Sequence, residues 1–254
     1  MKKPILLVVC ALVLLLLPVT GIGVRMNISF SRDIIYVDDS GGADYTTIQE
    51  AIDNATSGDT VYVYSGTYPE SLMIVVDNII LIGENRYTTT IIGQEFESTI
   101  TIRADEITIE EFSIKHTGER DDAEAGVYIP EESVECLITH NVIQDNSYGI
   151  FLGSFPAKQV DDRPVFLEES YPHDNCITEN LVIENPIGGI YLGNCYENII
   201  TDNTINAENG FGIGLDAWNN TVQDNDISHN AGDGLILMWG GDYNIIIGLS
   251  LIHI

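Results

Sequence analysis

The sequence predicts an all-β fold: a single-stranded parallel β-helix with three strands per coil and about 22–23 residues per coil, with a short capping helix at its N-terminal end. Three observations carry this. The first is a repeat. Ile138-Thr-His-Asn141, Ile177-Thr-Glu-Asn180, Ile200-Thr-Asp-Asn203 and Val222-Gln-Asp-Asn225 align on their asparagines. Each is followed by an aliphatic residue (Ile143, Val182, Ile205, Ile227), a second asparagine (Asn146, Asn185, Asn209, Asn230) and a glycine opening an apolar-x-apolar triplet. The triplet glycines, Gly126, Gly149, Gly189, Gly212 and Gly234, step by 23, 40, 23 and 22 residues, so one coil carries an insertion of about 17 residues between Gly153 and Cys176. Such a period marks a solenoid. The second observation is that each copy has three apolar stations that alternate as strands do and are too short for helices. A leucine-rich repeat would need more leucines per copy. The third is the Asn and Gly between stations, which tolerate the left-handed backbone of tight corners. Stacked coils would place Asn141, Asn180, Asn203 and Asn225 in a ladder, each amide bonding the next rung about 4.8 Å away.

From the N-terminus, residues 1–23 read as a secretory signal peptide: Lys2 and Lys3, an apolar run from Ile5 to Leu17, then Pro18-Val-Thr-Gly21. The run is short for a membrane span; an uncleaved anchor is the alternative. The formal charge is −29, and about −31 once the signal is removed. Beyond Arg163 there is no Lys or Arg but 13 acids. Such a surface repels nucleic acid and anionic lipid and suits high salt, divalent cations or solubility. Beyond the signal segment, which carries Cys10, three cysteines remain, Cys136, Cys176 and Cys195; an odd number without a C-x-x-C argues against a disulfide framework or zinc site. Cys136 and Cys176 start neighbouring coils, so stacked core thiols are expected.

Residues 34–60 form the N-terminal strand and cap. Ile35–Val37 is a short strand, Thr46 a helix N-cap with Gln49 as its capping-box partner, and Ile48, Ala51, Ile52 and Ala55 share one helical face. A helix there would cover the open end of the first coil. Residues 61–247 are the coils, with the insertion at about 154–175. Phe112 stands where later coils have the ladder Asn, so the ladder is expected to begin at Asn141. At 248–254 the repeat fails: Gly248-Leu249 stands where Asp-Asn is due. This reads as an irregular, truncated end of a longer protein, with an open strand edge prone to association.

The cap segment from Ile35 to Val63 and the Asn/Gly coils together resemble the right-handed parallel β-helix repeat proteins of the pectin-lyase-like superfamily, particularly the NosD-type and surface-layer-associated β-helix proteins of archaea and bacteria. The resemblance covers about residues 34–247 and implies the right-handed form. It says little about function, because the superfamily includes lyases, hydrolases, esterases, epimerases, adhesins and non-catalytic scaffolds. The catalytic signatures it would imply are not found. Asp121-Asp122 and Asp161-Asp162 lie in insertions without an Asn-Thr-Asp or Gly-His-Gly on successive coils, and Gln223-Asp224 has no Arg downstream. A lyase base would have to be Arg163, Lys158, Arg120 or Lys115. The NosD resemblance implies copper, which prefers His, Cys and Met. His116, His140, His173, His229 and His253 form no H-x-H or C-x-x-H.

Two constellations remain. The residues before the ladder asparagines are His140, Glu179, Asp202 and Asp224; stacked, the three carboxylates would repel unless a cation such as Ca2+ screened them, although calcium wants six to eight oxygens. The corner after the third strand gathers Tyr196, Trp218 and Trp239 beside Asp216, and the insertion brings Phe155, Phe166 and Tyr171 to it. Exposed aromatics beside carboxylates suit sugar rings; the alternative is a corner plug. The preferred reading is a secreted or cell-surface module without catalytic activity that binds polysaccharide or organises the envelope. A polysaccharide-active lyase, hydrolase or epimerase with incomplete catalytic coils is the second, and a NosD-like copper-site maturation factor the third.

Overall fold

The computed structural model describes residues 33–94, 97–116, 124–130, 133–154, 171–207, 209–238 and 241–252. The signal segment, most of the insertion and Trp239 lie outside them. The described chain is a right-handed parallel β-helix of three sheets, with nine, eight and seven strands. Each coil gives one strand to each sheet in turn. Leu137–Thr139, Val142–Gln144 and Tyr148–Gly153 make one coil; Cys176–Thr178, Leu181–Ile183 and Gly188–Tyr196 make the next. Ile199–Thr201, Thr204–Asn206 and Phe211–Trp218 follow, then Thr221–Gln223, Asp226–Ser228 and Leu235–Leu237.

Register stacks like on like. In the nine-stranded sheet Leu81, Ile109, Ile138, Ile177, Ile200 and Val222 pair in succession, and all are fully buried. From Thr108–Glu110 onward, each three-residue station of this sheet turns its middle side chain inward, as period-two geometry requires. Ile143, Val182, Ile205 and Ile227 line the eight-stranded sheet, and Ile150/Leu152, Ile190/Leu192 and Ile213/Leu215 the seven-stranded one.

The asparagines form more than one ladder. Asn180 Nδ2 donates to Ile138 O (2.8 Å), Thr178 O (2.9 Å) and Asn203 Oδ1 (3.0 Å). Its Oδ1 accepts from Asn141 N at 3.0 Å and Asn141 Nδ2 at 3.2 Å. Asn203 and Asn225 repeat the pattern. Phe112 N donates to Asn141 Oδ1 at 3.0 Å, so this ladder starts at Asn141. A further ladder at the corner entering the nine-stranded sheet, Asn175, Asn198, Asn220 and Asn244, was not anticipated. At the corner entering the seven-stranded sheet, Asn146 stacks on Asn185. Two coils on, Ala207 N rather than Asn209 meets Asn230 Oδ1, at 2.8 Å.

The corner chemistry also corrects the reading of Asn and Gly. The left-handed residue is the one before each ladder Asn: His140, Glu179, Asp202 and Asp224 have φ of 54, 56, 56 and 52°. The triplet glycines are needed for space. A Cβ on Gly149 or Gly189 would lie 2.6 Å from the carbonyl oxygen of the glycine one coil on, Gly189 or Gly212. Gly248, with φ 66°, keeps the left-handed corner, and Leu249 packs against the core in the place of a ladder Asn. Ser250–Ile252 then pairs in register with Asp226–Ser228. The end read as irregular therefore continues the coil through residue 252.

The cap is helix α1 (Ile48–Asn54), burying Ile48, Ala51 and Ile52. Thr47, not Thr46, is its N-cap and makes no side-chain cap bond. The free amides are met from the first coil, where Glu70 accepts from Ile48 N (2.7 Å) and Gln49 N (3.0 Å). Gln49 instead bonds Met73 through both its N–H and its carbonyl. The cysteines do not stack on each other. Cys136 sits in a corner, its N–H bonded to Asn175 Oδ1, whereas Cys176 pairs with Leu137 and is half-buried.

Two outcomes follow. Asn180→Ala removes a fully satisfied buried amide and orphans Asn141 N, so it should cost about 3 kcal/mol; Glu184→Ala, on the exposed corner, should stay within about 0.5 kcal/mol. Equal denaturation midpoints for Asn180→Ala and the parent would remove the ladder from this account. Burial pushes the Cys136 thiol up to about 12 and raises Cys195 and Cys176 as well. Native alkylation should therefore label Cys176 first and reach Cys136 and Cys195 only on unfolding, as peptide mass mapping would show.

Candidate functional site

The seven-stranded sheet differs from the others on its outer face. Between the inward aliphatics of its triplets, the middle residues are Tyr128, Phe151 and Tyr191, which stack across coils in register. Tyr148 and Phe211 join them. Phe151 lies 5.5 Å from Tyr128 and from Tyr148 in edge-to-face contacts, and 5.0 Å from Tyr191. Tyr191 lies 6.2 Å from Phe211. Tyr148, Phe151 and Tyr191 are at most 6% exposed, so this is a second apolar cluster outside the solenoid core. Sequence reasoning missed it, although the aromatic x of three successive Gly-apolar-x-apolar triplets, Tyr128, Phe151 and Tyr191, was its signal.

Asp216 stands on the same sheet, paired with Gly193 and only 8% exposed. Burial, and then the Asp216 carboxylate, raise the Tyr191 phenol above its ordinary range. The strand ends lead into the corner ladder of Asn175, Asn198 and Asn220, where Tyr196 and Trp218 pair as successive rungs. Their rings stack at 5.8 Å and 13°. His173, bridged to Tyr196 in the rung before, stacks on it at 4.8 Å and 22°. Tyr171 meets Trp218 edge-on at 5.7 Å. The corner is a column of rings seated on one another. The stacking occupies ring faces, and Tyr196 and Trp218 are half-buried. Trp239, Phe155 and Phe166 lie outside the described residues.

The carboxylate column lies elsewhere, between the nine- and eight-stranded sheets. His140 Nε2 bonds Glu179 Oε2 at 2.8 Å, with both side chains about half exposed. Asp202 accepts from Thr201 Oγ1 at 2.8 Å and Asp224 from Gln223 Nε2 at 3.1 Å. Each acid is thus engaged with its own neighbours rather than turned towards a shared point. Among the described residues no group of three His, Cys, Asp or Glu could hold a metal ion.

No curated protein matches this sequence. Among solved structures, the carrot pectin methylesterase covers 87% of this chain and 88% of its own at 12% identity and a TM-score of 0.51. An alginate lyase from Paenibacillus sp. str. FPU-7 covers 86% and 99% at 11% identity and 0.53. A mutant of the periplasmic alginate epimerase AlgG covers 75% of this chain and 51% of its own at 13% identity and 0.56. At these identities the likeness shows the fold. A family model described as periplasmic copper-binding protein (NosD) matches residues 52–251. Copper would need His, Cys or Met donors brought together. Here Cys136 and Cys195 are buried as thiols, and His140 and His173 bond to carboxylates on different coils. Met73 and Met238 lie towards opposite ends of the seven-stranded sheet. The described residues do not fit a copper site, yet the match spans most of the coils, and the chain belongs to the NosD family of periplasmic copper-binding β-helix proteins.

Proposed function

We propose that this chain is an extracytoplasmic β-helix module that binds polysaccharide along the seven-stranded sheet and its exit corner. The observation behind this reading is the ring column His173–Tyr196–Trp218 at that corner, which the buried cluster around Phe151 adjoins. The column would meet a sugar through its edges. The exposed Glu197 offers an acceptor to hydroxyl groups beside the half-buried rings of Tyr196 and Trp218. A few coils span about 10–15 Å, enough for two or three sugar rings. Binding is then weak for short oligosaccharides and stronger for polymers through repeated contacts.

Truncating Trp218 also removes stacking, so Trp218→Ala should cost about 2–3 kcal/mol of stability. The discriminating variant is Trp218→Phe, which keeps a ring and loses the N–H. Affinity electrophoresis across a broad polysaccharide panel should show the parent retarded, with Trp218→Phe retarded less at an unchanged melting temperature. A parent that runs unretarded on every polysaccharide would sink the reading.

A polysaccharide-active enzyme is the second reading. It draws on the buried Asp216 carboxylate beside Tyr191 on the outer face and on a fold shared with an esterase, a lyase and an epimerase. On that reading Asp216→Asn abolishes release of new reducing ends or unsaturated products from a polysaccharide that the parent degrades. No product from the parent on any member of the panel would dispose of it.

A further inference from the structure

We infer that Asn209 is a site of spontaneous covalent modification, where the chain converts its own asparagine to aspartate and isoaspartate. The reacting group is the Asn209 side-chain amide, the nucleophile is the backbone nitrogen of Gly210, and the co-reactant is water. Asn209-Gly210 is the one Asn-Gly pair in the sequence. Its asparagine is exposed and stands outside the ladders, because Ala207 N rather than Asn209 meets Asn230 Oδ1 at that corner. A ladder amide is the contrast. Asn180 is 2% exposed, and its Nδ2 is held by Ile138 O, Thr178 O and Asn203 Oδ1. Among the described residues Asn54, Asn85 and Asn219 are also exposed, but each is tied through its side chain. Asn54 Nδ2 donates to Glu50 O at 2.8 Å, Asn85 Oδ1 accepts from Tyr87 N at 2.9 Å, and Asn219 Nδ2 donates to Glu197 Oε1 at 2.9 Å. Each also precedes a residue with a Cβ: Ala55, Arg86 and Asn220. The Asn209 amide has no hydrogen bond to any described residue.

Glycine makes this neighbour reactive, and the stacking of the coils requires a glycine there. A Cβ on residue 210 would collide with Ile187 O of the preceding coil. The Gly210 nitrogen, unhindered by a Cβ, attacks Asn209 Cγ. An N–Cγ bond forms, the Cγ–Nδ2 bond breaks, and the proton of the Gly210 N–H leaves with the NH2 group as ammonia. The cyclic imide then takes up water. Opening at Cγ gives aspartate, and opening at the main-chain carbonyl gives isoaspartate. One water is consumed and one ammonia released, with no oxidation or reduction. Gly210 N donates to Ala207 O at 3.1 Å, and Asn209 N donates to the same oxygen. Attack therefore requires this surface turn to loosen, whereas a ladder asparagine would need a packed corner of two coils to open. The product places a new carboxylate just before the strand Phe211–Trp218. Isoaspartate also adds a main-chain carbon beside the contact of Gly210 with Ile187.

The test incubates the full chain, folded and in urea, at mildly alkaline pH. Peptide mass mapping follows every asparagine, and isoaspartyl methyltransferase labelling separates isoaspartate from aspartate. Asn209 should convert first in both conditions. Folding should slow Asn209 by no more than about ten-fold but slow Asn180 and Asn203 by more than about a hundred-fold, the difference between loosening a turn and opening the stack. Asn209→Gln, which must close a larger ring, should lose the early product and the acidic shift on native isoelectric focusing. Conversion of Asn54, Asn85 or Asn219 ahead of Asn209 in the folded chain would overturn the inference. So would an Asn209 as well protected by folding as Asn180, or an acidic shift that persists undiminished in Asn209→Gln.

Discussion

The side-chain amide of the ladder asparagine is the interaction on which the rest of this structure depends. A parallel coil turns three corners per rung, and each corner removes backbone N–H and C=O groups from the strand ladders. Buried groups of that kind must be paired. Asn180 shows the solution: one amide donates to Ile138 O and Thr178 O while its oxygen receives Asn141 N. An Asn supplies both donors and an acceptor on a short stem. The geometry demands a left-handed residue just before it, a place filled by Glu179, Asp202 and Asp224 at some conformational cost. In the earlier coils Phe112 and Cys136 take the Asn position, and their own N–H groups are met by Asn141 Oδ1 and Asn175 Oδ1 of the next coil.

Once coils stack in register, each position in the repeat becomes a column, and the column decides what a side chain can do. Aliphatics in a column make the core. Aromatics make the stacked rungs His173, Tyr196 and Trp218. Acids make a row that spreads its repulsion among local partners such as Thr201 and Gln223. Columns run along the solenoid and do not converge on a point, whereas a metal centre or a catalytic cluster needs convergence from several directions. This is why the His, Cys, Asp and Glu side chains of the described coils gather no metal-holding group of three. It is also why membership of a family described by copper binding coexists with donors that stay apart.

Much of the fold was legible in the sequence because its signal is periodic. The spacing of Asn141, Asn180, Asn203 and Asn225 contained the coil length, the insertion and one ladder, and the apolar alternation contained the inward face of each strand. Less of the candidate site was legible. Tyr196 and Trp218 were identifiable as a corner pair, but His173 entered their column only through its bridge to Tyr196, across the insertion that breaks the spacing. The ladder of Asn175, Asn198, Asn220 and Asn244 was hidden for the same reason, its first member standing just after that insertion.

What the sequence determined by itself was everything carried by one-dimensional repetition: three strands per coil, a buried aliphatic face, a helical cap and a charge distribution without Lys or Arg in the later coils. Tertiary structure alone decided which groups meet across rungs. It gave Glu70, rather than a capping box, the free amides of the helix. It moved the left-handed corner one residue ahead of the asparagine and turned the glycines into spacers for close approach. It also turned Tyr196 and Trp218 from open platforms into stacked rungs. The physical reason is that periodicity specifies a residue's position within its own coil, while its contacts come from the neighbouring coil. The register between coils is set by hydrogen bonds and packing over the whole stack.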